Sequence, residues 1–178
     1  MSFAEPATVQ DLLNYRLSCL LAGSGAMVTR LCEGRYGITR REWRLICILA
    51  AQGAMSPSVL AEQSHLERAR VSRHITDLVA KKLVVRQGVP EDKRRALVKL
   101  NERGCKLYEE LFPKSMRFNN MVLQALTPTE LAAFDTALTR LTKMTEALAR
   151  SPLLTEKADR RHGGSRRFAE MDPDLGLW

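Results

Sequence analysis

The sequence predicts a mainly α-helical fold with one small β-hairpin, on three observations. Residues 56 to 82 have the pattern of a short helix, a break and a second helix rich in arginine. Residues 83 to 100 contain two apolar stretches around the basic segment GVPEDKRR, which is typical of a hairpin. The segments on either side repeat apolar residues three or four positions apart. Together these features describe a winged helix-turn-helix domain joined to a helical dimerisation region.

The composition is that of a globular protein with a polyanionic partner. Hydrophobic residues make up 45% of the chain and charged residues 27%, which excludes a disordered chain. The 28 Lys and Arg outnumber the 20 Asp and Glu, and this positive excess favours DNA. No apolar run approaches the roughly 20 residues of a membrane-spanning helix, and the N-terminus lacks the pattern of a secretory signal. We therefore expect a cytoplasmic protein without a membrane partner.

We expect four segments along the chain. Residues 1–54 hold N-terminal helices for dimerisation and a ligand pocket, and residues 55–100 hold the DNA-binding winged helix-turn-helix. Residues 101–150 hold C-terminal dimerisation helices. Residues 151–178 form a polar tail, whose mixed charges and Gly-Gly pair are typical of a flexible segment.

The first helix is predicted near Val9 to Glu33. Gly23 and Gly25 weaken its middle, because glycine is a poor helix former. Its apolar residues are spaced mostly three or four apart: Leu12, Leu13, Leu17, Leu20, Leu21, Met27, Val28 and Leu31.

The second helix begins at a capping box, since Thr39 is followed three residues later by Glu42. Ile38 and Trp43 stand where a hydrophobic staple places its two residues. We expect this helix to run to about Gln52.

The helix-turn-helix opens at Ser56, an N-cap residue followed by Pro57 at the first helical position. Its second helix is predicted from about Glu67 to Lys82. One stripe of that helix is apolar and is expected to face the core: Val71, Ile75, Leu78 and Val79.

Polar residues outside this stripe, and at the start of the first motif helix, are the candidates for DNA contact. Between His65 and Lys82 there are five cations and two acids. Arginine can fork onto guanine, and hydroxyl groups bond phosphates or bases. An arginine-rich solvated face without a ligand is the alternative, and the neighbouring hairpin favours DNA. The candidates are Ser56, Ser58, Arg68, Arg70, Ser72, Arg73, His74 and Thr76.

The tip of the predicted hairpin carries three successive cations, Lys93, Arg94 and Arg95. A cation at the end of a thin ribbon can enter a minor groove, where narrow A·T tracts concentrate negative potential. Asp92 cannot favour DNA by its charge. We expect it to orient a wing arginine through an ion pair, which lowers the entropy cost of binding.

The segment DKRRALVKLNERG resembles the wing and following helix start of the MarR family of bacterial regulators. Members of that family typically show D-x-R followed by a strand that ends in V-x-L-T-x-x-G. Asn101 stands here in place of the usual Thr, and Asn is also a good N-cap. The resemblance covers about residues 10 to 150. The residues that carry it in this chain are Asp92, Arg94, Val98, Leu100 and Gly104, with Leu60-Ala61, Val71-Ser72-Arg73, Leu78, Lys82-Leu83-Val84 and Arg86 upstream.

The helices after the wing are predicted to form a dimer. One runs from about Asn101 to Leu126 with a kink at Pro113, and the last opens at Thr127 with a capping box. An intramolecular core is the alternative use of its apolar stripe, but a two-fold dimer presents two recognition helices to adjacent major grooves. The resemblance implies that the first and last helices interleave between subunits. The stripe comprises Leu131, Phe134, Leu138, Leu141 and Leu148, with Met144 beside Thr145.

The resemblance also implies a repressor that a small aromatic or anionic ligand releases from a pseudo-palindromic operator. Such a pocket needs aromatic walls and one or two fixed cations, and our candidates are Arg16, Met27, Trp43 and Arg44. The alternative role of Trp43 is that of a staple and core residue, and the alternative role of the two arginines is in surface or intersubunit ion pairs. The ligand stays open between a free acid and a coenzyme A thioester.

Three alternatives remain. Some relatives sense hydroperoxides through a first-helix cysteine, and Cys19 lies near that place, although the family's following tyrosine is replaced by Leu21. A non-regulatory architectural DNA-binding protein is the second. An enzyme is the third and is not expected, because no phosphate loop, nucleophile elbow or H-E-x-x-H motif occurs. The four cysteines lack zinc-finger spacing and are expected to be buried thiols, so we expect neither metal nor cofactor.

Overall fold

The computed structural model describes residues 3–89, 92–149 and 151, with side chains for all of these except 89, 92–95 and 149. The fold is mainly helical with one antiparallel hairpin, which confirms the predicted class. A boundary after Ala125 divides the chain into two compact units. Within the described residues, no helix is both long and apolar enough to cross a membrane. The elements are α1 (Leu13–Tyr36), α2 (Arg40–Gln52), α3 (Pro57–Ser64), α4 (Arg68–Ala80), β1 (Val84–Val89), β2 (Asp92–Leu100), α5 (Glu102–Leu123) and α6 (Pro128–Ala149).

Helix α1 begins and ends later than the sequence predicts. A short 3₁₀ turn precedes it, because the Asp11 carboxylate accepts from the Thr8 backbone N–H at 3.0 Å and Leu12 is extended. The helix then continues to Tyr36 and stops at Gly37, which has the left-handed φ of 63° that glycine adopts without strain.

Gly25 does not interrupt α1, and its lack of a side chain leaves space for a side chain of α2. A Cβ at this position would collide with the guanidinium of Arg40, the first residue of α2. The Arg40 guanidinium also donates to the Leu21 carbonyl at 3.4 Å. Glycine therefore leaves room for the Arg40 side chain to lie against α1.

Helix α2 confirms the predicted capping box and staple. The Thr39 hydroxyl accepts from the Glu42 N–H at 3.1 Å, and the Glu42 carboxylate accepts from the Thr39 N–H at 2.6 Å. Ile38 and Trp43 are both buried. The rest of the buried face of α2 enters the core of the winged helix.

This core lies among α2, α3, α4, α5 and the hairpin. Apolar residues with less than 2% exposure fill it, each worth about 1.5–3 kcal/mol of burial. Val79 is the exception to the predicted stripe of α4. It lies at the edge of the buried face that Val71, Ile75 and Leu78 form, and it is 38% exposed. The most deeply buried members are Leu45, Ile46, Leu60, Val71, Ile75, Leu78, Val84, Val98 and Leu111.

The hairpin is longer than predicted, with Val84 opposite Leu100 and a register shift between Gly88 and Val89. Met55, just before α3, pairs with Val98 through two backbone hydrogen bonds of 3.1 and 2.8 Å. The wing is thus tied to the start of the helix-turn-helix.

Helix α5 is capped by Asn101, whose side chain accepts from the Gly104 N–H at 3.0 Å. A Cβ at Gly104 would clash with the Leu83 carbonyl, so α5 lies directly against the base of the wing. Pro113 lies inside this helix, which continues to Leu123.

Helix α6, in the second unit, opens with the predicted capping box of Thr127 and Glu130. The apolar stripe predicted on it is exposed in the single chain, with Leu138 at 40% and Met144 at 58%. Residues 152–178 of the predicted tail lie outside the described residues.

Candidate DNA-binding surface and ligand cavity

The helix-turn-helix is built by two local signals. The Ser56 hydroxyl accepts from the Val59 N–H at 3.3 Å and starts α3. His65 adopts a left-handed φ of 53° and ends it, while the Leu66 N–H returns to the Ala61 carbonyl at 3.2 Å. The chain therefore turns sharply into α4.

One face of α4 presents arginines to solvent. Arg68, Arg70 and Arg73 are exposed, as are Ser72 and Thr76. Arg70 pairs with Glu67 at 3.3 Å, an exposed interaction that a phosphate can replace at little cost. The face therefore has the charge and the donors that a phosphate backbone requires. Of the two α3 candidates, Ser58 is exposed and Ser56 is half-buried.

The wing contacts this face through Arg86 on β1. Its guanidinium donates to the Thr76 hydroxyl at 3.1 Å, and that hydroxyl donates to the Ser72 carbonyl at 3.1 Å. Thr76 thus joins the wing to the recognition helix. The side chains of the predicted tip residues Asp92, Lys93, Arg94 and Arg95 lie outside the described residues.

His74 is placed differently from the other DNA candidates. It is half-buried, its Nδ1 atom is shielded without a hydrogen-bond partner among the described residues, and it lies near Glu42 and Asp77. Donor atoms of these three residues lie within 4.8 Å of one another. The Lys81 ammonium, however, already contacts both oxygens of Glu42, which favours an ion pair there over a metal ion.

The Glu42–Lys81 pair connects α2 to the end of α4. Glu42 is 1% exposed, and its two oxygens accept from Lys81 Nζ at 2.9 and 2.8 Å. Removing one partner of such a pair leaves a buried charge uncompensated. The pair therefore fixes the position of α4 relative to α2.

A cavity of about 440 Å³ opens among α1, α2 and α5. Trp43 and Arg44, two of the four predicted ligand residues, line it. Arg44 is held in place because its guanidinium donates to the Ser64 carbonyl at 3.1 Å. The lining comprises Leu20, Leu21, Ser24, Gly25, Val28, Arg40, Trp43, Arg44, Cys47, Ser115, Phe118, Asn119, Val122 and Leu123.

The other two predicted ligand residues lie elsewhere. The Arg16 guanidinium stacks 4.0 Å over the Phe3 ring, and Met27 is exposed outside the lining. Sequence reasoning missed Arg40, although it stands one helical turn before Arg44 and so shares its face. It also missed the α5 wall, because that helix was assigned to dimerisation alone.

An aromatic row joins Trp43 of the cavity lining to α5. The ring centroids of Trp43 and Tyr108 lie 5.9 Å apart, and Tyr108 stacks on Phe112 at 5.0 Å. At the other end of α1, the Tyr36 hydroxyl donates to Glu110 at 2.6 Å. Both contacts join α5 to the helices that it packs against.

The sequence led us to expect four buried thiols, and for two of the cysteines this expectation is wrong. Cys19 and Cys105 are exposed, while Cys32 is buried and Cys47 half-buried. Burial raises the pKa of the Cys32 thiol to about 11 and that of Cys47 to about 12. Because the thiolate is the reactive form, neither buried thiol is suited to peroxide sensing at neutral pH.

Known proteins with a similar sequence and fold are transcriptional regulators of one family. The family model described as MarR family matches residues 36–95, whereas no curated protein matches the chain. A MarR family transcriptional regulator from Silicibacter pomeroyi is 26% identical, with a TM-score of 0.68, and the match covers 79% of this chain and 99% of that one. NadR, solved in complex with 4-hydroxyphenylacetate, is 26% identical with a TM-score of 0.64, covering 78% and 98%.

A third similar structure is BpsR of Bordetella bronchiseptica, whose DNA binding is regulated by 6-hydroxynicotinic acid. It is 24% identical with a TM-score of 0.69, and the match covers 78% of this chain and 98% of BpsR. At that identity the likeness concerns the fold.

Proposed function

Because the chain belongs to the MarR family of winged helix-turn-helix transcriptional regulators, we propose that it is a homodimeric repressor released from its operator by a small aromatic acid. The chain is a DNA-binding regulator and not an enzyme. One observation carries the finer proposal. The Glu42–Lys81 ion pair joins α2 to the end of α4, the helix with the exposed arginine face. Helix α2 also carries Arg40 and Arg44, the two arginines that line the cavity.

DNA binding in this proposal uses the exposed face of α4. Arg68, Arg70 and Arg73 supply phosphate and base-edge donors, and Arg86 steadies the wing beside them. Two such helices in a two-fold dimer match half-sites about one helical turn, roughly 34–36 Å, apart. A pseudo-palindromic operator follows from that symmetry.

A free aromatic acid is the proposed effector, because the cavity combines apolar walls with cations. Trp43 offers a ring surface, and Arg40 and Arg44 retain guanidinium N–H groups for a carboxylate. The ring end of a coenzyme A thioester lacks that carboxylate, so the two arginines favour the free acid. NadR, solved in complex with 4-hydroxyphenylacetate, supports the same class.

Release would follow from differential binding to two states of the dimer. An acid held by Trp43 and Arg44 pulls on α2, and the neighbouring Glu42 holds Lys81 at the end of α4. The effector therefore favours a dimer whose recognition helices no longer match the spacing of successive major grooves.

The dimer itself is proposed from the apolar stripe of α6, which is exposed in one chain. Leu138→Asp places a charge in that stripe in both copies and should raise the dimer dissociation constant at least a hundredfold, from about 1.5–3 kcal/mol of lost burial per copy. Thr136→Asp, on the opposite face, is the matched control. Sedimentation velocity that finds Leu138→Asp as dimeric as the control would exclude α6 from the interface.

The repressor is tested by a gel shift with the DNA that flanks its own gene, at fixed salt. Aromatic acids, their coenzyme A thioesters and hydroperoxide are titrated separately. We expect specific binding that a free aromatic acid relieves. Equal binding to all DNA with no response to any additive would instead make the protein architectural, and relief by hydroperoxide alone would make it a redox sensor.

A further inference from the structure

One polar atom of the cavity has no partner. Ser115 on α5 lines the cavity, and its hydroxyl oxygen is buried without a hydrogen bond to any described residue. Buried polar side-chain atoms are rarely left in this state, because the lost interaction with water is not replaced. A change of the Ser115 χ1 rotamer would turn this hydroxyl toward the cavity that the residue lines, where a bound molecule could pair with it.

Two hydroxyls on α1 show the hydrogen bond that a helical hydroxyl usually makes. Ser24, on the α1 wall of the same cavity, donates to the Leu20 carbonyl at 2.7 Å. Thr29 donates to the Gly25 carbonyl at 2.9 Å. Such a bond to the preceding turn is the usual way for a helical hydroxyl to be satisfied. Ser115 makes no such bond with any described residue, so its proton and its lone pairs are all unused.

The cavity is therefore polar at two separate helices. Arg40 and Arg44 lie on α2, and among the described residues each guanidinium donates one of its five N–H groups to a backbone carbonyl. Ser115 stands on α5, and Trp43 and Phe118 supply aromatic surface in the same lining. A molecule that satisfies all of these groups has a carboxylate, an aromatic ring and a neutral hydrogen-bonding substituent.

We propose that Ser115 is a specificity-determining residue, whose hydroxyl bonds the ring hydroxyl of a hydroxylated aromatic acid. The inference rests on the proposed function, because it takes the cavity to be the effector site. It goes further in separating hydroxylated acids from the parent acids that have the same ring and carboxylate. An effector without the hydroxyl leaves Ser115 buried and unpaired, whereas a hydroxylated one pairs it.

The test is isothermal titration calorimetry of the full chain with phenylacetate and with its 2-, 3- and 4-hydroxy derivatives. Using several isomers leaves the ring position of the hydroxyl to the experiment. Ser115→Ala is compared with wild type, and Thr29→Ala is the matched control, because it removes a helical hydroxyl that already donates to the Gly25 carbonyl and lies outside the cavity lining. We expect wild type and Thr29→Ala to prefer one hydroxylated isomer over phenylacetate by about tenfold, the value of one hydrogen bond. Ser115→Ala should lose that preference while it binds phenylacetate no more weakly.

Thermal melting without ligand separates this role from a structural one. Removing an unpaired buried oxygen should leave the melting temperature of Ser115→Ala unchanged or higher, whereas loss of a structural hydrogen bond would lower it. A preference that persists in Ser115→Ala would overturn the assignment and leave the proposed effector class standing. Binding of all the acids with no preference in wild type would overturn it as well. If none of the acids binds, the effector class fails, and the role of Ser115 fails with it.

Discussion

Two regions of the molecule are packed in opposite ways. The reading region is formed by α3, α4 and the hairpin, and the cavity region is formed by the facing walls of α1, α2 and α5. In the reading region Leu60, Ile75 and Leu78 are fully covered and the cations point outward. In the cavity region Leu20 and Leu21 remain about half exposed, and the Ser115 hydroxyl has no hydrogen-bond partner in the part of the chain that the structure describes. The first region is complete within one chain and presents charge. The second is left incomplete, as we expect of the small-molecule site that we propose.

The largest expected effect comes from the same substitution made in each region. Leu78→Ala should lower the free energy of unfolding by about 2–5 kcal/mol, because it opens a void in a closed core. Leu20→Ala should cost less than about 1 kcal/mol, since half of that side chain is already exposed. Urea unfolding at one protein concentration measures both. Equal losses would mean that the cavity wall is packed like the core, and the contrast between the regions would disappear.

The next effect concerns the Glu42–Lys81 pair, which joins the two regions. Lys81→Met should lower the free energy of unfolding by about 1–3 kcal/mol, because the buried Glu42 charge loses its partner; the value is reduced for the 36% exposure of the Lys81 side chain. Glu42→Gln combined with Lys81→Met removes both charges and keeps the capping bond to Thr39, so most of the loss should be recovered. A double variant as unstable as Lys81→Met would show that the charge is not the cause.

A smaller effect separates the two sites functionally. Arg73→Ala should weaken operator binding about tenfold and lower its salt slope by about one, through loss of a phosphate contact. Its affinity for the aromatic acid should not change. Arg44→Ala should do the reverse, binding operator as wild type does and acid more weakly. Fluorescence anisotropy and calorimetry on the same preparations measure both, and a variant that loses both activities together would argue against two separate sites.

The smallest effect concerns the cysteines, and it tests the redox alternative. At pH 7.5 a thiol reagent should label Cys105 and Cys19 well before Cys47 and Cys32, whose raised pKa values keep them protonated. Peptide mapping after timed labelling reads the order. Early labelling of Cys47, which lines the cavity, would reopen a sensing role for a thiol there.

The sequence predicted the elements whose signals are local. The capping residues Thr39, Ser56, Asn101 and Thr127 each start a helix in the structure, because capping depends on a few neighbouring residues. The hairpin was predicted for the same reason, from its turn residues and alternation. The start of α1 was missed because Asp11 forms its own turn with Thr8, which competes with the helix.

The cavity was predicted only in part, because its walls come from three helices distant in sequence. Trp43 and Arg44 were found from their chemistry, whereas Ser115 carries no signal in a sequence until α5 is packed against α2. Arg16 was assigned to the cavity from its charge, and the structure places it over Phe3 instead. Pairings of this kind are decided by tertiary packing and not by local spacing.

The central claim is that the two regions share one equilibrium, and linkage tests it most directly. The dissociation constant of the preferred aromatic acid is measured by calorimetry on the full chain, alone and saturated with its operator, and that of the operator with and without saturating acid. Coupling is reciprocal, so the account predicts that each ligand weakens the other by the same factor, about 5–150-fold. Acid affinity that is identical with and without operator would contradict it, because the cavity and the arginine face would then act independently.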